Sequence, residues 1–212
     1  TITAPQMNSL SVTGAGGAAG VFEAQLTLTG AVQGSPSTVR TLGTASIKGG
    51  VYSSTWTISG NTGSLNVGPT ADRWTLSVTG NALSVRMGRA VSTNVTVTGD
   101  VSSFRATEWF TGRARAGTFR DVRVSPGRGA EGGDGSFEGT FDTTNTTATT
   151  AINTAAFHIL RNATIDARTV LNRISVNEAT GSSITVAGWM PTARNCSATT
   201  KRCSSLQTTS GA

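Results

Sequence analysis

One five-residue phrase recurs along this chain and limits its fold more than any other feature: apolar, Ser or Thr, apolar, Ser or Thr, Gly. It reads Leu10-Ser11-Val12-Thr13-Gly14, Leu26-Thr27-Leu28-Thr29-Gly30, Trp56-Thr57-Ile58-Ser59-Gly60, Leu76-Ser77-Val78-Thr79-Gly80 and Val95-Thr96-Val97-Thr98-Gly99. A looser copy, Ile184-Thr185-Val186-Ala187-Gly188, lies near the end. Successive side chains of a strand point to opposite faces, so this alternation closed by glycine is the signature of a half-buried strand entering a turn. The chain is expected to be all-β.

The middle copies continue into Gly60-Asn61, Gly80-Asn81 and Gly99-Asp100, at spacings of 20 and 19 residues. Two architectures give such a period. In a hairpin with a two-residue turn, glycine supplies the positive φ that the turn needs first. In a solenoid, each unit is one coil. A turn at Gly80-Asn81 would oppose Val78 to Leu83, Leu76 to Val85 and Trp74 to Met87, all apolar on one face. Such cross-strand pairs stabilise sheets. The expectation is therefore antiparallel hairpins forming a sandwich or barrel, with a β-solenoid of roughly 20-residue coils as the alternative. Phe22, Ala24, Leu26 and Leu28 mark another strand face, as do Phe137 and Phe141, and the Gly-rich stretch from Pro126 to Gly135 reads as a loop.

Residues 1–142 are expected to form the main β domain, with repeated hairpin units. Residues 143–150 read as a Thr-rich connector or loop, and 151–212 as a C-terminal β segment with a local disulfide in the same domain. A short helix competes with strands in 151–173, where Ile152, Ala155, Ala156, Ile159 and Leu160 approximate helical spacing.

Composition narrows function mainly by exclusion. Charged residues are 13% and aromatics 6% of the chain, so Ser, Thr, Asn and Gly must cover much of the surface and the core must be thin. The only histidine, His158, sits in an apolar run without a nucleophile elbow, which argues against Ser-His-Asp and Cys-His catalysis and multi-histidine metal sites. Cys196 and Cys203, too few for a zinc site, read as a local disulfide and hence an oxidising compartment. No run approaches the ~20 apolar residues of a membrane-spanning helix. The expected location is extracellular, on a cell surface or in a virion.

Two clusters carry chemistry. Glu131, Asp134, Glu138 and Asp142 could bind calcium through oxygen ligands or act on glycosides, against the plainer reading of a solvated strand face. Between Phe104 and Arg128 lie Arg105, Arg113, Arg115, Arg120, Arg123 and Arg128, against only Glu108 and Asp121, with Phe104, Trp109, Phe110 and Phe119 interleaved. Arginine neutralises phosphate and aromatic rings stack on bases, so this stretch suits DNA or another polyanion. Its plainer reading is aromatics in the core and arginines paired outside. The net charge of +6 comes from 15 Arg and two Lys among its cations. The expected function is a non-enzymatic structural or adhesive subunit of a surface appendage, pilus-like filament or virion, self-associating through strand edges and needing no cofactor. The alternatives are a DNA- or polyanion-binding surface module, such as a pilus-associated DNA receptor, and a carbohydrate-binding β-sandwich.

Overall fold

The computed structural model describes residues 1–16, 18–30, 39–127 and 132–188, and the backbone of 203–204 and 207–210. Among the described residues there are 17 strands and no helix, and the strands pair in parallel. The chain winds as a β-solenoid of about nine turns, so the alternative architecture is the one observed and the antiparallel sandwich or barrel is not.

Three walls of stacked strands enclose the bore. The first wall holds β2 (Met7–Val12), β4 (Leu42–Ile47), the start of β7 (Thr62–Asp72), and both ends of β9 (Ala82–Ala106). It continues through the end of β10 (Glu108–Val124) and the starts of β12 (Ile152–Arg161) and β14 (Leu171–Thr180). The second wall runs from β5 (Val51–Tyr52) through later parts of β7, β9, β12 and β14, with the starts of β10 and β11 (Ser136–Thr143), to β16 (Cys203–Ser204). The third stacks β1 (Ile2–Ala4), β3 (Leu26–Leu28), β6 (Thr55–Ile58), β8 (Thr75–Val78), residues 94–97 and 113–116, and the end of β11. It then passes to β13 (Thr164–Ala167), β15 (Ser183–Val186) and β17 (Gln207–Ser210).

Most copies of the recurring phrase stack directly on one another in the third wall. Leu28 pairs with Ile58, Ile58 with Val78 and Val78 with Val97. The expected partners of the Gly80-Asn81 hairpin are instead one coil away. Leu76 lies between Trp56 and Val95, Val85 pairs with Leu65, and Leu83 is 45% exposed. The Gly-Asn dipeptides are corners between the third and first walls. There the Gly80 amide donates to the Gly60 carbonyl at 3.1 Å and the Gly99 amide to the Gly80 carbonyl at 3.0 Å. Asn61 Oδ1 accepts the Asn81 amide at 2.9 Å, Asn81 Oδ1 accepts the Asp100 amide at 2.8 Å, and Thr118 Oγ1 donates to Asp100 Oδ1 at 2.7 Å. Each corner side chain thus binds the coil above, a role a hairpin turn would not give it.

The corner between the second and third walls has its own device. Ser53, Arg73, Ser92, Thr111 and Asn162 occupy the left-handed region, with φ between 44° and 49°. One left-handed residue turns the chain sharply without breaking the strands on either side. Such a conformation costs an L-residue energy, so the surrounding ladders must hold it.

The 151–173 segment is strand: β12, β13 and the start of β14. Ile152, Ala155, Phe157 and Leu160 all point inward. The first wall begins with a three-residue step between inward positions, repeated at Ala82 and Val85 and at Phe119 and Val122. That step and the next corner imitate helical spacing. Residues 144–150 lie between β11 and β12 without regular structure.

The bore is filled by size compensation. Where the third wall contributes Ala114 and Ala116, the same turns supply Phe104, Trp109 and Phe119 from the other walls, all 0–1% exposed. With Phe137, Phe141 and Phe157 these rings form one cluster, with centroid separations from 4.1 to 6.3 Å.

Candidate functional site

The arginine-rich stretch from 104 to 128 covers a full turn, so the solenoid distributes its residues over different walls. Phe104, Trp109 and Phe119 are core. Trp109, expected as part of a polyanion site, presents no ring to solvent. Phe110 is half-buried beneath the Arg89 guanidinium, which sits 4.7 Å from its centroid. Arg128 lies outside the described residues.

Arg113 and Arg115 share the outer face of the third wall, backed by Ala114 and Ala116 as the alternation predicts. They converge on Asp142, one coil away. Arg113 Nε and Nη2 donate to the two carboxylate oxygens at 2.6 and 2.8 Å, and Arg115 Nε donates to Oδ2 at 2.7 Å. Asp142 is 2% exposed. Its hydrogen bond raises the Arg113 pKa further above the ordinary guanidinium value, against the opposing pull of burial. The next coil adds Asp166, paired with Asp142 in register and held by Arg168 Nη2 at 3.3 Å. Three guanidinium groups and two carboxylates thus form one network in which most of the charge is paired. Asp142 fills the Arg113 fork bidentately and takes the Arg115 Nε–H, leaving less of either guanidinium for a phosphate.

The expected acidic cluster is divided. Asp142 belongs to the third wall, while Asp134 and Glu138 share Arg161, at 2.9 and 3.6 Å. Burial pushes the Asp134 carboxyl up, but its contacts with Ser136, whose amide donates to it at 2.8 Å, and with the Arg161 guanidinium outweigh that, and the pKa lies below the usual carboxylate value. Nearby Glu108, 8% exposed and 3.1 Å from Arg89, moves the other way. Desolvation raises its pKa despite Arg89, and the charges of Asp134 and Glu138 add to the rise. Glu131 lies outside the described residues, and among those described no group of three or more His, Cys, Asp or Glu is placed to hold a metal ion. The Cys196–Cys203 bridge likewise falls outside them, apart from the backbone of Cys203.

The first wall gathers the other described arginines of this stretch, together with Arg86. Arg105 and Arg123 are register partners. The Thr107 amide donates to the Gly88 carbonyl at 3.0 Å and the Gly99 amide to that of Gly80 at 3.0 Å, an offset of 19 residues that sets Arg105 above Arg86. Arg86, Arg105 and Arg123 therefore form a ladder up three successive coils. Their neighbour Arg120 is also exposed: the three-residue step places both Arg120 and Arg123 outside, where strict alternation would put them on opposite faces. Among the described residues Asp121 lies 3.2 Å from Arg105, and Arg86 is itself engaged. Beside the ladder, Ser125 to Gly127 rise as one side of an open groove that continues past Ala156 to His158 and Asn177. His158 Nδ1 lies 2.8 Å from Asn177 Nδ2, so the imidazole is engaged structurally.

Reading the arginines as one linear run hid Arg86, whose signal was its spacing of 19 residues from Arg105, the same period as the recurring phrase. Comparisons with protein-family models, curated proteins and solved structures returned no match for the chain.

Proposed function

We propose that this protein is a non-enzymatic structural or adhesive rod, displayed outside the cell on a surface appendage, pilus-like filament or virion. The observation that carries this reading is the three-walled stack of the described residues, with a bore filled by apolar side chains and outward columns of small polar residues. Thr57, Ser77 and Thr96 form one such column, and Ser11, Ser46 and Asn66 another. A stack of this kind grows in length by adding coils and presents a long, weakly charged exterior. Among the described residues, the histidine and the most buried aspartate are both committed to structural partners. Self-association fits the same reading, since β1 and β2 are each paired on one side only among the described residues, leaving strand edges open.

Two measurements test it. Small-angle scattering of the purified chain should give an elongated particle whose stack is about 45 Å long, from roughly 4.8 Å per coil. Protease treatment of intact source cells or particles should strip the protein from their surface, and deleting its gene should weaken attachment or appendage integrity. Full protection from protease in intact cells and particles overturns the proposal.

A further inference from the structure

One face of the stack carries an ordered pattern that the rod reading does not use. We infer that the outer face of the third wall, across β3, β6, β8 and residues 94–98, binds the surface of ice. The inference goes beyond the rod reading, since it needs the stacked coils and not the place where the protein is displayed.

The spacing of the hydroxyls carries the argument. Thr27, Thr57, Ser77 and Thr96 are register partners on successive coils, so an outward hydroxyl recurs about every 4.8 Å along the stack. Two positions further along each strand come Thr29, Ser59, Thr79 and Thr98, none of them buried. A two-residue step on an extended strand is about 6.7 Å, so these side chains form a rectangular net. Hexagonal ice repeats its water oxygens by slightly less than the coil rise along one axis, and by slightly more than the strand step along the axis perpendicular to it. A net of hydrogen-bonding groups at those intervals meets many lattice oxygens at once, where an irregular polar surface meets few.

The side chains suit this partner. Among the described residues no protein hydrogen bond engages the hydroxyls of Thr27, Thr57, Ser77 or Thr96, while Thr79 Oγ1 accepts the Gly60 amide at 2.9 Å and keeps its own proton to donate. Threonine is β-branched, so its χ1 is restricted and little rotamer freedom is lost when the hydroxyl is fixed against a lattice. Ice is uncharged, and residues 25–29, 55–59, 75–79 and 94–98 include no charged side chain. The net ends on the next coil, where Arg113 and Arg115 take the columns of Asn94 and Thr96. A crystalline polysaccharide fits less well. Flat rings grip sugars by stacking on their faces, and the aromatic residue of these strands, Trp56, is fully buried.

The test uses the full chain, with serum albumin as a bystander in the same solution. Ice grown slowly through the mixture should take up this protein and reject albumin. Thr57→Lys/Thr96→Lys, within one column of the net, should lower uptake about tenfold, since a few contacts carry most of the binding at such a surface. Ser11→Lys/Asn66→Lys adds equal charge at equal spacing to the outer face of the first wall and should change uptake little. Circular dichroism checks that each variant keeps its β-structure. If the Thr57→Lys/Thr96→Lys pair does not fold, Thr57→Tyr, a residue well suited to strands but too bulky for the net, should lower uptake in its place. Rejection of the wild-type chain to the same extent as albumin, equal loss from both lysine pairs, or firmer retention on microcrystalline cellulose than in ice each overturns the inference.

Discussion

At the scale of single residues, two carboxylates with opposite surroundings make the sharpest predictions. Asp142 is almost fully buried and accepts three hydrogen bonds from two arginines. Asp142→Asn leaves both guanidinium groups short of an acceptor charge, and because those groups are half-exposed the cost is expected at the low end for a broken buried pair, about 3 kcal/mol. Arg105→Gln, which removes one of two half-exposed partners, should cost under about 0.5 kcal/mol. Denaturant midpoints of the two variants check the contrast. Glu108 behaves differently. Its pKa is raised in the folded state, chiefly by desolvation, so the native protein holds that proton more tightly than the unfolded chain. Stability from this group is present below the ordinary carboxylate range and is lost as pH rises through the raised value. Glu108→Gln should therefore stabilise at neutral pH, and its advantage should vanish as pH falls into the acid range. Denaturation curves across pH 3 to 8, roughly spanning the carboxylate titration, test the sign; a variant advantage that grows on acidification contradicts the assignment.

At the scale of elements, the corners explain why strands were legible and their partners were not. Alternation between polar and apolar residues depends only on neighbours in sequence, so the strands carrying Leu76 and Val78 or Val95 and Val97 could be read directly. A hairpin and a coil share the same period, and both bring Val85 against an apolar residue. The pair differs: Leu76 in a hairpin, Leu65 in the coil. The discriminating signs were Leu83, left exposed by the coil, and the asparagines recurring at equivalent corner positions. Coil architecture predicts a modular response to deletion. Removing residues 62–81, one whole turn, joins Asn61 to Ala82 in the phase that Thr62 now occupies. The shortened chain should remain a folded β-protein, less stable and shorter by about 4.8 Å, measured by circular dichroism and scattering. The same deletion in a hairpin fold would leave strands without partners and abolish cooperative unfolding.

At the scale of the whole molecule, each coil contacts chiefly its neighbours, so opening should begin at an end. Ile2, Met7, Leu10 and Val12 are only partly buried, whereas Leu65, Val67 and Val85 are 0–1% exposed. Amides of β2 should exchange hydrogen faster than those of β7 and the start of β9; uniform protection along the stack contradicts end-first opening. The candidate sites follow the same division. Arg113 and Arg115 could be placed on one outer face from their spacing alone, but their capture by Asp142 joins residues 27 and 29 apart. The ladder of Arg86, Arg105 and Arg123 exists only once coils are stacked. By itself the sequence determined that the chain is strand, where its side chains alternate and how sparse its charge is, because these depend on local sterics and on composition. Only the tertiary structure decided parallel against antiparallel pairing, core against surface for the aromatics, and which arginines stand together. Those outcomes depend on the stagger between coils, and a 20-residue period leaves that stagger open.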